Sequence, residues 1–184
     1  IAARYAALQS QINPHFLFNS FNTLVAEIKD DPKRAELFTR NLSNVYRYVL
    51  QAQKQPLATL REELTFASAY LYLHSVRLGN CIRYCMDIPA EDQDLRLPPL
   101  TLQLLIENIL KHNAISTSHH MEITMSVAEG RLTVSNTLRP KPCEESTGIG
   151  LENLSNRCRI VAGRDIEIIR TSNLFTVKIP LLYE

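Results

Sequence analysis

Two amphipathic helical stretches with almost no chain between them constrain the fold more than any other feature. Residues 1–28 place Leu17, Phe21, Leu24 and Ile28 at three- and four-residue spacing, an apolar stripe of helical period. DDPKRAEL then restarts a helix, with Asp31 suited to the N-cap and Pro32 to the first helical position. The second helix carries Leu37, Phe38, Leu42, Val45, Tyr46 and Val49 and is predicted to end near residue 52. So short a link folds the pair into an antiparallel hairpin. A lone hairpin cannot bury both stripes, so a second copy of the chain is the natural cover. This predicts a homodimer through residues 1–52, built as a four-helix bundle.

After the hairpin the texture changes. QAQKQPLA (51–58) is polar and proline-punctuated and reads as a linker over residues 53–58. Thr59 and Glu62 match a capping box that opens a helix to about Leu78, stopped by Gly79 and Asn80. CIRYCMDI (81–88) reads as a strand, and PPLTLQLLIENILKHN (98–113) as a helix that starts at a proline and buries Leu102, Leu105, Ile106 and Ile109. MEITMSVAEGRLTVSN (121–136) alternates with period two around Glu129-Gly130, a hairpin. A polar, proline-rich loop spans 137–147. GLENLSNRCRIVAG is a helix closed by Gly163, and DIEIIR and LFTVKIPL are final strands. The fold class is therefore α+β: a helical hairpin (1–52), a linker (53–58), then an α/β sandwich over residues 59–184. The sandwich should hold about five mixed or antiparallel strands and three helices. Strand hairpins alternating with helices argue against a doubly wound parallel sheet.

The totals exclude several function classes. Twenty Lys and Arg against nineteen Asp and Glu leave a formal charge of +1, with no block of like charge, so neither nucleic acid nor an anionic membrane surface is expected as a direct partner. Cys81, Cys85, Cys143 and Cys158 form no CxxC pair and have no histidine at ligand spacing, which favours reduced thiols over a zinc site. No apolar run reaches transmembrane length. The first residues, IAARYAALQSQ, already have helical character and no initiator methionine, so the helix is expected to continue upstream. Any membrane attachment would then lie in upstream segments.

Three places could carry chemistry. In SQINPHFLFNS, at about 100° per residue, Gln11, Asn19 and Asn22 fall within about 40° of His15, while Leu17 and Leu24 lie opposite. His15 thus sits on a polar stripe. An imidazole in water, with a pKa of about 6.5, is mostly neutral at pH 7 and nucleophilic. Pro14 either kinks a longer helix by removing a donor, or opens a new one capped by Asn13. An exposed histidine beside a kink, without chemistry, is the plainer alternative. In LIENILKHN one helix presents Glu107, Asn108, Lys111, His112 and Asn113 within two turns. Amide and carboxylate oxygens suit Mg²⁺ and a lysine suits phosphate, although a wet helix face would look the same. In STGIGLENLSNR, Gly148 and Gly150 permit close backbone approach to a ligand just before a helix N-terminus, a natural phosphate site. A plain loop-to-helix turn explains it equally well. His74 is placed on the polar side of its helix with a structural role, and His119 and His120 in a solvated turn.

In this order the motifs resemble sensor histidine kinases of the LytS type, whose phosphoacceptor hairpin precedes an ATP-binding domain of the GHKL class. QINPHFLFNSFNTL is similar to the family's phosphoacceptor segment, LREELTFASAYLYLHSVRLG to the helix that follows, LPPLTLQLLIENILKHN to its N box and TGIGLENLSNR to its G2 box. The resemblance implies a protein-histidine kinase using ATP and Mg²⁺. His15 would be the phosphoacceptor, Glu107 a candidate base and Asn108 the Mg²⁺ ligand. Asn108, Lys111, His112, Asn136, Gly148, Gly150 and Leu151 would bind ATP. It further implies phosphotransfer to an aspartate of a response regulator, often one with a LytTR DNA-binding domain, and the cytoplasmic portion of a bacterial inner-membrane sensor. Two departures stand out. Phe16 follows the histidine where other histidine kinases carry an acid, and VSNTLRP places Asn136 and Leu138 where the GHKL pattern has Asp-x-Gly at the adenine. The alternative those departures raise is a nucleotide-weak pseudokinase or scaffold that binds or dephosphorylates a regulator.

Overall fold

A computed structural model describes residues 13–52, 54–141 and 149–183. Helix α1 (Pro14–Asp30) begins where Asn13 caps it, its Oδ1 accepting from the Phe16 amide at 3.2 Å, with Pro14 in the first turn. Of the two local readings of Pro14, the helix start is the one observed. Asp31 turns the chain and its Oδ1 accepts from the Lys33 amide at 3.0 Å and the Arg34 amide at 3.3 Å, opening α2 (Pro32–Ala52). The hairpin therefore forms as expected from its short link.

The face that α1 packs onto its own chain is not the expected stripe. Phe16 and Ser20 are buried, Ser20 by returning its hydroxyl to the Phe16 carbonyl at 2.8 Å. Leu17 and Leu24 are half-buried, while Phe18, Phe21, Val25 and Ile28 stand 49–69% exposed. Helical periodicity finds the apolar residues but not which of them meet the rest of the same chain.

After a two-residue strand β1 (Ala58–Thr59), helix α3 (Leu60–Arg77) opens on the Thr59–Glu62 capping box, both hydrogen bonds present. α3 touches α2 on one side and α4 (Thr101–His112) on the other, and buried residues such as Leu64, Ala67, Tyr70, Leu71 and His74 run round it. This corrects the placement of His74: a helix packed on two sides has no polar face there, and His74 is buried. The chain then forms β2 (Ile82–Asp87), a 3₁₀ turn (Ala90–Asp92), β3 (Arg96–Leu97), α4, β4 (Met121–Ala128), β5 (Arg131–Thr137), α5 (Ile149–Ala162), β6 (Glu167–Arg170) and β7 (Leu174–Pro180).

The main sheet has the order β2-β4-β5-β7-β6, parallel between β2 and β4 and antiparallel elsewhere. The β4–β5 hairpin turns at Glu129 and Gly130, both with positive φ as a type I′ turn requires. β1 and β3 pair separately, so the end of the predicted linker belongs to a small ladder. No helix among the described residues is long and apolar enough to cross a membrane.

α4 starts at Thr101, two residues past the prolines, because Leu100 is left-handed at φ 61° and provides no side-chain cap. The missing cap comes from elsewhere. The buried Glu63 carboxylate of α3 accepts from the Leu100 amide at 2.7 Å and the Leu102 amide at 2.8 Å, and Tyr48 of α2 donates its hydroxyl to the same carboxylate. Burial pushes the Glu63 carboxyl pKa up, opposed by those amides and the Tyr48 hydroxyl. Leaving a buried donor unpaired costs about 1–3 kcal/mol per group, so Glu63→Ala is expected to lower unfolding stability by roughly 3 kcal/mol in urea denaturation. Glu63→Gln, which keeps an accepting oxygen, should lose less.

Candidate functional site

One cavity of ≈ 770 Å³ lies where α1, α3, α4, the start of α5 and the β5–β7 region meet. His15, Glu107, Asn108, Lys111, His112, Asn136, Gly150 and Leu151 all line it. These residues come from four elements, from His15 near the start to Leu151 far along the chain, and the fold gathers them on one wall or another of the same space. Gly148 lies outside the described residues, as do residues 1–12 and residues 142–147 of the 137–147 loop.

His15 is exposed, on the first turn of α1. The Asn19 amide nitrogen, one turn on, lies 3.2 Å from His15 Nδ1. Donating there, it leaves the neutral ring's proton on Nε2. Turned over, the same amide would accept from an Nδ1–H and leave the Nε2 lone pair free. Phe16, one position further, is buried, its ring 5.0 Å from Tyr70, 5.1 Å from His74 and 6.4 Å from Tyr46.

On α4, the Tyr70 hydroxyl donates to Glu107 Oε1 at 2.9 Å and Gln103 Nε2 donates to the same oxygen at 3.0 Å. Asn108 faces the first turn of α5: a Cβ added at Gly150 would lie 3.9 Å from Asn108 Nδ2 and 3.8 Å from Leu104. Gly150 is thus a residue of the helix itself rather than of the turn before it, and a Cβ there would meet both side chains at ordinary contact distance. Asn113 has a structural task. Its Oδ1 accepts from the Arg139 amide at 2.7 Å and its Nδ2 donates to the Ile109 carbonyl at 2.9 Å, which ties the chain just past β5 to the end of α4. The Lys141 amide adds a bond to the His112 carbonyl at 3.1 Å.

Asn136 is buried at the end of β5, its Nδ2 donating to the Thr137 carbonyl at 2.8 Å. That leaves its oxygen as the group able to accept from a ligand. Leu138 also lines the cavity. Among the described residues, Arg77, Lys111, Lys141 and Arg170 line it against the carboxylate of Glu107, a balance that suits a polyanion.

Sequence patterns missed Tyr70 and His74 as neighbours of this site. Both sit in the apolar-looking stretch SAYLYLHSV, where only the tertiary contacts reveal a role. Arg77 Nη2 lies 2.9 Å from His74 Nδ1, so the neutral ring accepts there and carries its proton on Nε2, which has no partner among the described residues. Burial, and then Arg77, hold the His74 pKa down at about 3.

A helical hairpin with an exposed histidine thus packs on an α/β sandwich, and that histidine shares the sandwich's cavity. The family model for histidine kinases matches residues 3–82. The chain is 32% identical over 178 residues to the sensor protein LytS of Streptococcus agalactiae, covering 88% of this chain and 30% of that protein. It is 33% identical over 172 residues to LytS of Bacillus subtilis, covering 84% of this chain and 29% of that protein. In fold it is similar to the structure of a bacterial phosphotransferase, at TM-score 0.50 and 13% identity, covering 97% of this chain and 96% of the other. The chain belongs to the histidine kinase family and is of the LytS type. It spans about 30% of the length of the curated relatives it matches.

His74 makes a pH prediction. Its folded pKa of about 3 lies below the roughly 6.5 of free imidazole, so between those values the unfolded chain holds a proton that the folded chain does not. That contribution to stability is complete above about pH 6.5 and is lost as pH falls, by up to about 1.4 kcal/mol per pH unit. Denaturant titrations between pH 7 and 5 should show a shallower decline for His74→Phe than for the parent chain.

Proposed function

We propose that this chain is the kinase core of a two-component sensor, which transfers the γ-phosphoryl group of ATP to His15 and then to an aspartate of a response regulator. The observation that carries the proposal is the shared cavity: the exposed histidine and the residues of the N-box and G2-box segments line one space. Phosphoryl transfer asks chiefly for positioning and charge neutralisation, and this wall supplies both. Residues 1–52 would form the phosphoacceptor hairpin, 53–58 the linker and 59–184 the ATP-binding domain.

In the transfer step a lone pair on an imidazole nitrogen of His15 forms the N–P bond. The bond from the γ-phosphorus to the bridging oxygen breaks, and ADP leaves with its electron pair. The remaining ring proton passes to Glu107, the carboxylate on the cavity wall. With Phe16 packed inward, the position after the histidine offers no base.

Lys111 would neutralise phosphate charge, with His112 beside it. Leu151 and Gly150 would form the wall at the start of α5, and Gly148 the turn before it. The Asn136 oxygen would accept from the adenine amine. Mg²⁺ takes oxygen ligands and commonly keeps phosphates, waters and one or two protein oxygens. The Asn108 amide oxygen fits that role. No group of three His, Cys, Asp or Glu among the described residues could hold a metal alone, so the ion is expected to arrive with the nucleotide.

The exposed Phe18, Phe21, Val25 and Ile28 on α1, with Leu37 and Leu50 on α2, support a homodimer through the hairpin. The regulator, with or without a LytTR DNA-binding domain, would dock as a protein partner, and the protein itself would make no direct nucleic-acid contact. The whole sensor would sit in a bacterial inner membrane with this part on the cytoplasmic side. Leu138 on the cavity wall favours a second reading, a pseudokinase or scaffold that binds or dephosphorylates a regulator with little nucleotide affinity.

Incubation with γ-labelled ATP and Mg²⁺ should yield an acid-labile label that His15→Gln abolishes; a folded, dimeric chain that takes no label overturns the kinase reading. Calorimetry should find ATP·Mg binding tighter than about 1 mM, weakened in Asn108→Ala. Binding weaker than that in the parent chain supports the scaffold instead. Phe21→Lys with Ile28→Lys should turn the dimer into a monomer in sedimentation.

A further inference from the structure

Tyr70 touches both the residue after His15 and the carboxylate of Glu107. Its ring lies 5.0 Å from Phe16, whose neighbour is His15, and it stacks on Phe66 at 5.3 Å and meets His74 edge-on at 4.6 Å. Its hydroxyl ends on Glu107 Oε1 at 2.9 Å. That oxygen also takes the Gln103 amide, so it is held from two sides. Oε2 accepts nothing from any described residue and is the oxygen left to meet a proton.

Phe16 is itself an anchor. It is 7% exposed, its amide is capped by Asn13, and its ring fills a pocket made by Tyr46, Tyr70 and His74. Seating Phe16 fixes the rotation of α1 about its own axis, and one residue back, about 100° round the helix, His15 turns toward the cavity. If Phe16 leaves, the helix is free to turn and the Tyr70 ring loses the neighbour that packs it.

We infer that Tyr70 is a positioning residue: its ring seats Phe16 while its hydroxyl orients Glu107, so that the aligned histidine and the aligned carboxylate come as one unit. This rests on the phosphotransfer reading above and adds to it a reason why Phe16 can stand beside the histidine. The position that offers no base instead docks the helix onto the residue that holds one.

Tyr70→Phe deletes the hydroxyl and keeps the ring, so the fold should survive, which a circular-dichroism melt checks. Single-turnover labelling by γ-labelled ATP is measured across ATP concentrations in the parent chain, Tyr70→Phe, Phe16→Leu, Glu107→Gln and the Tyr70→Phe/Glu107→Gln double variant. The rate at saturating ATP should fall about tenfold in Tyr70→Phe and in Phe16→Leu, while the half-saturating ATP concentration stays within twofold. In the Glu107→Gln background, Tyr70→Phe should add no further loss, because there is no carboxylate left to orient. A parent chain that labels, with Tyr70→Phe within twofold of it or with losses that multiply in the double variant, overturns the positioning role and leaves the kinase reading standing. A parent chain that does not label overturns the kinase reading, and the positioning role falls with it.

Discussion

The structure turns on a carboxylate that water does not reach. Glu63 is fully buried in α3, and its two oxygens accept the Leu100 and Leu102 amides at the start of α4 while Tyr48 of the hairpin donates to it. A helix that begins on a left-handed leucine has no cap of its own, and buried amides left open would be costly. The carboxylate thus completes α4 from outside. Because Glu107, Asn108, Lys111 and His112 all ride on α4, the orientation of the proposed site is inherited from a residue about 40 positions upstream. The same carboxylate joins three helices, one from the hairpin and two from the α/β part, so the hairpin and the site are referenced to a common point.

A second junction, made of rings rather than charge, runs beside it. Phe16, Tyr46, Tyr70, His74, Phe66 and Tyr48 form a line of aromatic contacts that ends at the hydroxyl bonded to Glu63. Aromatic rings pack with definite geometry, and close pairs add about 0.5–1.5 kcal/mol beyond the area they bury. Such a line sets angles between helices as well as distances. His15 stays exposed at its margin, while the residue after it is buried.

Local chemistry was legible in the sequence, and distant chemistry was not. Asp31, Pro32, the Thr59–Glu62 capping box and the Glu129-Gly130 turn speak within a few residues of themselves, and each forms the expected boundary. The β4–β5 hairpin followed from alternation of period two. The β1–β3 ladder was invisible, because two-residue strands carry no period. His74 was put on a polar face because a helical wheel cannot tell that α3 is packed on two sides. Motifs pointed to His15, Glu107 and Asn108, which line one cavity. Tyr70 and Glu63 look like ordinary residues of a mostly apolar helix, and each acquires meaning only from a partner 37 residues away.

The single parallel pair in the sheet has a consequence for how the chain assembles. β2 and β4 run side by side, so the chain between Asp87 and Met121 must travel back along the sheet, and α4 lies on that return path. A hairpin such as β4–β5 can close by itself in microseconds, but a parallel pair waits for its crossover to be laid down. Closing that pair is thus the step that brings the site helix against the sheet. The cavity that α4 lines is therefore complete only when the crossover is in place, which ties the binding space to a long-range pairing rather than to any local hairpin.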